Sequence, residues 1–452
     1  MGFPHVVVFV PGIAGSRLVT PAGPIWTGSP ATLARSAAGA RRLALSGDGR
    51  AAEPGVTADG VLLGAGVLPG LAGVDFYGRC LRELTSSLGL EPGRNLITFP
   101  YDWRLDNRVN AGLLARQAPG WLADWRATGG PDHARLVFVA HSMGGLVARH
   151  AIEVQGLRDL TAGVVTIGTP HRGAPKALRA LTGGLPVLRL FPGLLEQLRR
   201  MPSVHQLLPV FPFLTRPDRY ARLTDPEVVH GLDAGLVRDG AAFLREIETA
   251  ARANAGEAGP LAHAIVGVDQ DTARLLHLPD GGGPASLAVT AAGVRDPRGD
   301  GTVPEGSAYP IEWDGARSAT WVAGRHLSLP GMRVVLDQLT GWLSAIAEPR
   351  RLAAFRDVHR AGFPLSLDAP EAVPAGAPVE FAVTAPRAGL WSIEVLVEAV
   401  DGPVEVRVVD PPGGLVILPD GLPEGLHRIR VRTAHAPEQE LSDLLPAVPA
   451  ET

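Results

Sequence analysis

The chain has 452 residues, 46% of them hydrophobic and 19% charged, with a formal net charge of −4. Single hydrophobic cores stop growing near about 250–300 residues, so the length predicts more than one domain, while the slightly acidic balance argues against a nucleic-acid partner. The one cysteine, Cys80, excludes an intramolecular disulfide and a cysteine-based zinc site.

Val6–Val10 opens the chain as a short, β-branched, buried strand. The residues before it lack the basic start and long apolar run of a secretory leader. No apolar stretch reaches the roughly 18 residues of a membrane span, and the expected location is the cytoplasm. Residues 27–75, rich in Gly, Ala and Ser with weak periodicity, read as a long loop or lid. Phe76–Leu88 follows a helical pattern that buries Cys80 as an inert thiol. Leu96–Phe99 is a strand, and Val109–Trp125 a helix that Pro119 should break or kink. Leu136–Ala140 is a strand that runs into a helix over Gly144–Val154, and Gly163–Ile167 and Ala264–Val268 are further strands. Residues 181–215 carry many large apolar side chains among arginines and read as a helical cap, packed on the core or covering a site for acyl chains. This alternation of strand and helix predicts a mostly parallel sheet with helices on both faces over residues 1–347.

After a linker over 348–363 the pattern changes. Val379–Thr384, Trp391–Glu398, Val404–Val409 and Arg428–Arg432 alternate apolar and polar residues between Gly/Pro turns. They predict a small, immunoglobulin-like all-β sandwich over 364–452. Its removal is expected to leave activity toward soluble esters largely intact.

The chemistry concentrates at Leu136–Gly145. A buried strand meets a tight turn, Ala140-His141-Ser142-Met143-Gly144, and then a helix. A serine there is held above the sheet as a nucleophile, and small neighbours let the backbone pass; the alternative is a structural serine at a helix start. In the hydrolase order of Ser, then acid, then His, Asp300 in Asp296–Pro304 supplies the acid, with Asp296 as second choice. A calcium turn in that segment would need ligands that are missing. His326 follows a strand-like run, Ala319–Val322, and supplies the base. His141 and His171 precede the acid and read as walls of the site. The oxyanion needs two donors, assigned to the backbone N–H groups of Met143, after the nucleophile, and Ile13, in the turn after the first strand.

Val10–Ser16 with Trp26, Phe99–Arg104, Ala140–Gly145, Gly168–Ala174, Met201–Pro209, Gly299–Pro304 and His326 occur in the order and spread of one family. The chain resembles the lecithin:cholesterol acyltransferase-like family of α/β-hydrolases, the lipase and acyltransferase type. The resemblance implies a triad of Ser142, Asp300 and His326, oxyanion donors at Ile13 and Met143, acyl-ester substrates and an acyl-enzyme. It also implies a Trp26 that contacts lipid and a site shaped by Tyr101 and Trp103; for Asp102 and Arg104 structural packing is the preferred role. It calls for no cofactor and no metal. The lid disulfides of secreted members cannot form here, and the C-terminal sandwich lies outside the family pattern. The expected partners are a lipid or acyl ester, a membrane surface touched transiently, and a protein recruited by the C-terminal domain. Competing expectations are an adaptor on a hydrolase scaffold and an amidase or peptidase of the same fold.

Overall fold

The computed structural model describes residues 2–28, 40–46, 55–65, 74–75, 77–185, 188, 193–215, 220–226, 228, 231–255, 259–277, 295–296, 298–310, 312–313, 319–348, 359–361, 366–370, 372–384, 393–399, 404–409, 413–433 and 436–448. Seven strands build the central sheet. They are β1 (Val6–Val10), β2 (Leu96–Thr98), β3 (Leu136–His141), β4 (Thr161–Ile167), β5 (Leu261–Val268), β6 (Ala319–Ala323) and β7 (His359–Ala361). Their order across the sheet is β7-β6-β5-β4-β3-β1-β2, and every pairing is parallel. This is the α/β-hydrolase architecture. β7 comes from the segment expected to be linker, so the sheet runs past residue 347 and gains an edge strand.

The strands are apolar throughout because both faces are covered. Val6, Val8 and Val10 face one layer with Leu114 and Leu122 of α2 (Asn107–Thr128) and Val147 of α3 (Met143–Glu153). Val7 and Phe9 face the other, with Cys80 and Leu84 of α1 (Gly78–Leu88) and Leu336 and Leu339 of α6 (Arg333–Ala347). Pro119 does not end α2. Ala111, Leu114, Ala118, Leu122 and Trp125 keep one buried stripe on both sides of it, and packing along that stripe outweighs the hydrogen bond a proline cannot donate.

The order reverses at β1, which lies between β2 and β3. In such sheets the crevice beyond the carboxyl ends at the reversal is the usual binding place. Two loops leave from there: the turn after β1 and the turn from β3 into α3.

Part of the expected lid is ordered sheet. Ser16–Thr20 pairs antiparallel with Gly23–Trp26 and with Thr57–Val61, and Leu43, Leu45 and Leu62 are buried. Residues 29–39, 47–54 and 66–73 of that expectation lie outside the described residues. In the expected cap, α4 (Pro175–Thr182) leads to short helices at Leu194–Leu198 and Pro202–His205, then to a strand, Leu214–Thr215. Met201, Val204, Leu208 and Phe213 are buried in the main core, so these apolar side chains serve packing. α5 (Ala234–Ala253) closes over the same region, starting at Asp233, whose carboxylate accepts the N–H of Leu236. Among the described residues no helix is long and apolar enough to cross a membrane.

The C-terminal strands are β8 (Ser366–Asp368), β9 (Val373–Pro374), β10 (Val379–Thr384), β11 (Ile393–Ala399), β12 (Val404–Val409), β13 (Gly413–Leu418), β14 (Gly425–Thr433) and β15 (Ala436–Val448). They form two sheets, β8-β10-β13 and β9-β15-β14-β11-β12, antiparallel except where β9 meets β15. The expected strand start at Trp391 lies outside the described residues.

Candidate active site

Ser142 joins β3 to α3 with φ 52° and ψ −128°, a left-handed conformation that costs a non-glycine residue about 1–3 kcal/mol. The turn is tight because α3 starts at once and crowds the turn after β1. A Cβ at Gly144 would collide with the carbonyl oxygens of Val10 and Pro11. Gly12 comes so near that a Cβ there would lie 2.9 Å from the Cβ of Ser142. The residue after Gly12 is Ile13, so the structure brings the turn expected to supply an oxyanion donor against the nucleophile. Met143 is the first residue of α3, and a first-turn N–H has no partner within its own helix.

His326 and Asp300 reach the same spot from the far side. The His326 ring has Nε2 2.9 Å from Ser142 Oγ and Nδ1 2.7 Å from Asp300 Oδ2. A carboxylate only accepts, so Nδ1 carries the proton and Nε2 is left to accept the serine O–H. The other carboxylate oxygen, Oδ1, accepts the N–H groups of Thr302 at 2.9 Å and Val303 at 2.7 Å. The backbone adds a link, His326 N–H to Asp300 O at 2.9 Å. Ser142, Asp300 and His326 are all buried. Room for the acid comes from Gly267 in β5, where a Cβ would lie 2.5 Å from the Cβ of Asp300. The second-choice acid, Asp296, sits in a two-residue strand paired with Thr272–Ala273, and it is Asp300 that meets His326.

His141 is part of a chain that sequence reasoning missed. The N–H of Gly12 donates to Tyr77 Oη at 2.9 Å, and Tyr77 Oη lies 2.9 Å from His141 Nδ1. His141 Nε2 lies 3.0 Å from the backbone oxygen of His326. That oxygen can only accept, so His141 carries its proton on Nε2 and takes the tyrosine O–H on Nδ1. Burial, and then the neighbouring His326, hold His141 neutral well below the usual histidine range. Burial pushes the Tyr77 phenol above the ordinary tyrosine range. Tyr77 immediately precedes α1, and nothing in a helical pattern marks it as a partner of the serine turn. His171 lies beside Arg149 and Thr166 Oγ1, and burial followed by the Arg149 charge lowers its pKa strongly.

Two of the three residues expected to contact substrate, Tyr101 and Trp26, brace the turn after β1, and Trp103 packs on Trp26. Tyr101 is buried, and its hydroxyl donates to Pro11 O at 2.9 Å. Trp26 donates its indole N–H to Ala14 O at 2.8 Å and stands edge-on to the buried Trp103, ring centres 5.1 Å apart. Tyr101 and Trp103 are both buried. Their neighbours Asp102 and Arg104 form a bidentate pair at 2.7 and 2.9 Å, with the Arg104 side chain fully buried.

Residues 70–218 match the profile of the family described as lecithin:cholesterol acyltransferase. That segment is lecithin:cholesterol acyltransferase-like. It contains Ser142, Met143, Tyr101 and Trp103; Ile13, Trp26, Asp300 and His326 lie outside it. A protein of Bos taurus named lysosomal phospholipase A and acyltransferase is 30% identical over 128 residues. The match covers 27% of this chain and 30% of the relative's length. Two solved structures are similar at low scores. The mature lipase BlEst2 of Bacillus licheniformis is 13% identical, covering 73% of this chain and 87% of its own, with a TM-score of 0.33. The phospholipase PlaB of Legionella pneumophila is 10% identical, covering 95% and 85%, with a TM-score of 0.37. The fold assignment rests on the strand order and not on these two.

Proposed function

We propose that the protein is a serine hydrolase that cleaves or transfers acyl groups of lipid esters through an acyl-enzyme on Ser142. The observation that carries this reading is the unbroken chain from Asp300 through His326 to the Ser142 hydroxyl. His326 Nε2 takes the proton as Ser142 Oγ attacks the ester carbonyl carbon. The carbonyl oxygen becomes an oxyanion, to which the N–H groups of Ile13 and Met143 donate; losing one such donor typically costs about 10²–10³ in rate. Asp300 stabilises the imidazolium. The leaving alcohol then takes the proton from His326, and water or a second alcohol removes the acyl group by the same steps in reverse.

The acyl-lipid class is supported by the family match and by the relative's name, phospholipase and acyltransferase. Hydrolysis and transfer share every group in the site and differ only in which nucleophile reaches the acyl-enzyme. The test is a panel of p-nitrophenyl esters of rising chain length, with released fatty acid measured against transesterified product. Longer acyl chains are expected to be preferred, and Ser142→Ala to lose up to about a millionfold in turnover. Near-normal turnover by that variant would overturn the serine mechanism; a preference for acetyl over octanoyl would overturn the lipid reading.

A further inference from the structure

The residue before the base, Arg325, turns its side chain the other way, into the C-terminal sandwich. Its guanidinium pairs with Asp443 on β15 through Nη1 and donates to the backbone oxygen of Leu367 on β8 through Nη2. Arg325 is 9% exposed and Leu367 fully buried. The same guanidinium flanks the acid loop, for a Cβ at Gly301 would lie 3.8 Å from Nη1. The Arg325 carbonyl accepts the N–H groups of Ser328 at 2.9 Å and Leu329 at 3.0 Å, which closes the turn that carries His326. Around this link the apolar packing is continuous. Leu329, Leu336 and Leu339 share one cluster with Leu367, Val379 and Leu445 of the sandwich.

A nearly buried cation costs a great deal unless it is paired and hydrogen-bonded. Both partners of this one come from the C-terminal domain. We propose that the sandwich is a working part of the active site, with Arg325 as a positioning residue held by Asp443 and Leu367 so that His326 stays in register with Ser142 and Asp300. This rests on the reading of those three residues as a triad, and it replaces the expectation of a dispensable C-terminal module. A small misplacement of a catalytic group can cost about a hundredfold in rate. A moved base loop would thus appear in turnover before it appears in folding.

Truncation at residue 364 would expose the shared apolar face and unfold the protein for unrelated reasons, so the test uses the full chain. Asp443, on the partly exposed side of the pair, is changed to Asn and, as the conservative rescue, to Glu. Turnover of a short soluble p-nitrophenyl ester is followed against pH. Asp443→Asn is expected to lower kcat about tenfold with KM within about twofold. It also leaves the Arg325 charge unbalanced beside the acid loop, near a base that already faces Asp300 and His141, while Lys176 donates to Gly301 O and Thr302 Oγ1 of the same loop. The acidic limb of kcat/KM should therefore move to lower pH, because an added cation disfavours protonated His326. Asp443→Glu is expected to restore both readouts. Wild-type kcat and an unmoved pH limb in folded Asp443→Asn would overturn the proposal. Failure of the wild type itself to turn over any ester would instead overturn the proposed function.

Discussion

Gly267→Ala probes the support of the acid without replacing any residue of the triad. In β5 the added methyl would lie 2.5 Å from the Cβ of Asp300 and 2.9 Å from Leu329 Cδ1. The leucine can rotate away, but the acid cannot, since its Oδ1 is held by two backbone N–H groups. Carbon atoms rest at about 3.5–4.0 Å, so the acid loop must retreat by roughly 1.0–1.5 Å. The Asp300–His326 bond, now 2.7 Å, then opens to about 3.7 Å or more, beyond hydrogen-bond range. An imidazole without its orienting acid loses about 10⁴ in kcat in the serine-protease template, and a misplaced one about 10². Gly267→Ala should fall between these limits with KM little changed. Overpacking should also cost about 1–3 kcal/mol of stability. The measurements are kcat and KM on a soluble short-chain ester, with a urea melt to show that the variant is folded. A folded variant within about threefold of wild-type kcat would refute the argument that Gly267 makes room for the acid.

Tyr77→Phe removes the acceptor of the Gly12 N–H and the donor to His141. It should lower kcat by about tenfold through the loosened oxyanion turn and destabilise by about 1–3 kcal/mol; unchanged steady-state kinetics would contradict the bracing role. Asp102→Asn strips the fully buried Arg104 of its carboxylate and should cost about 3–5 kcal/mol in a denaturant melt, and a loss under about 1 kcal/mol would show the pair to be dispensable. Burial holds His141 and His171 neutral, and lowers His5 to about 4. Their folded pKa values lie below the unfolded value of about 6.5, so the unfolded chain binds more protons as the solution is acidified. Stability should therefore be level above about pH 6.5 and fall below it; an unchanged urea midpoint between about pH 7 and pH 5 would contradict this.

Much of this was legible in the sequence because parallel strands buried on both faces read as continuous apolar runs. Val6–Val10 and Leu136–Ala140 stand out for that reason, and the serine motif between a strand and a helix inherits their clarity. Chain order then singled out Asp300 and His326. The groups that went unread depend on closeness between distant segments. Tyr77 and His141 are 64 residues apart, and Gly267 matters only because Asp300 folds against it. β7 is three residues long and carries no periodicity to find. The aromatic residues Tyr101 and Trp103 carried a motif signal, but a motif does not say whether a ring faces substrate or backbone. Arg325 gave no signal, because both its partners come from a domain that the change of pattern marked as separate.

In the proposed mechanism the Ser142 hydroxyl is activated by His326 and carries the acyl group. Folded protein treated with a fluorophosphonate and digested should yield one covalent adduct, on the peptide that holds Ser142, and His326→Ala should slow its formation by orders of magnitude. An active preparation that leaves the Ser142 peptide unmodified would contradict a nucleophilic Ser142.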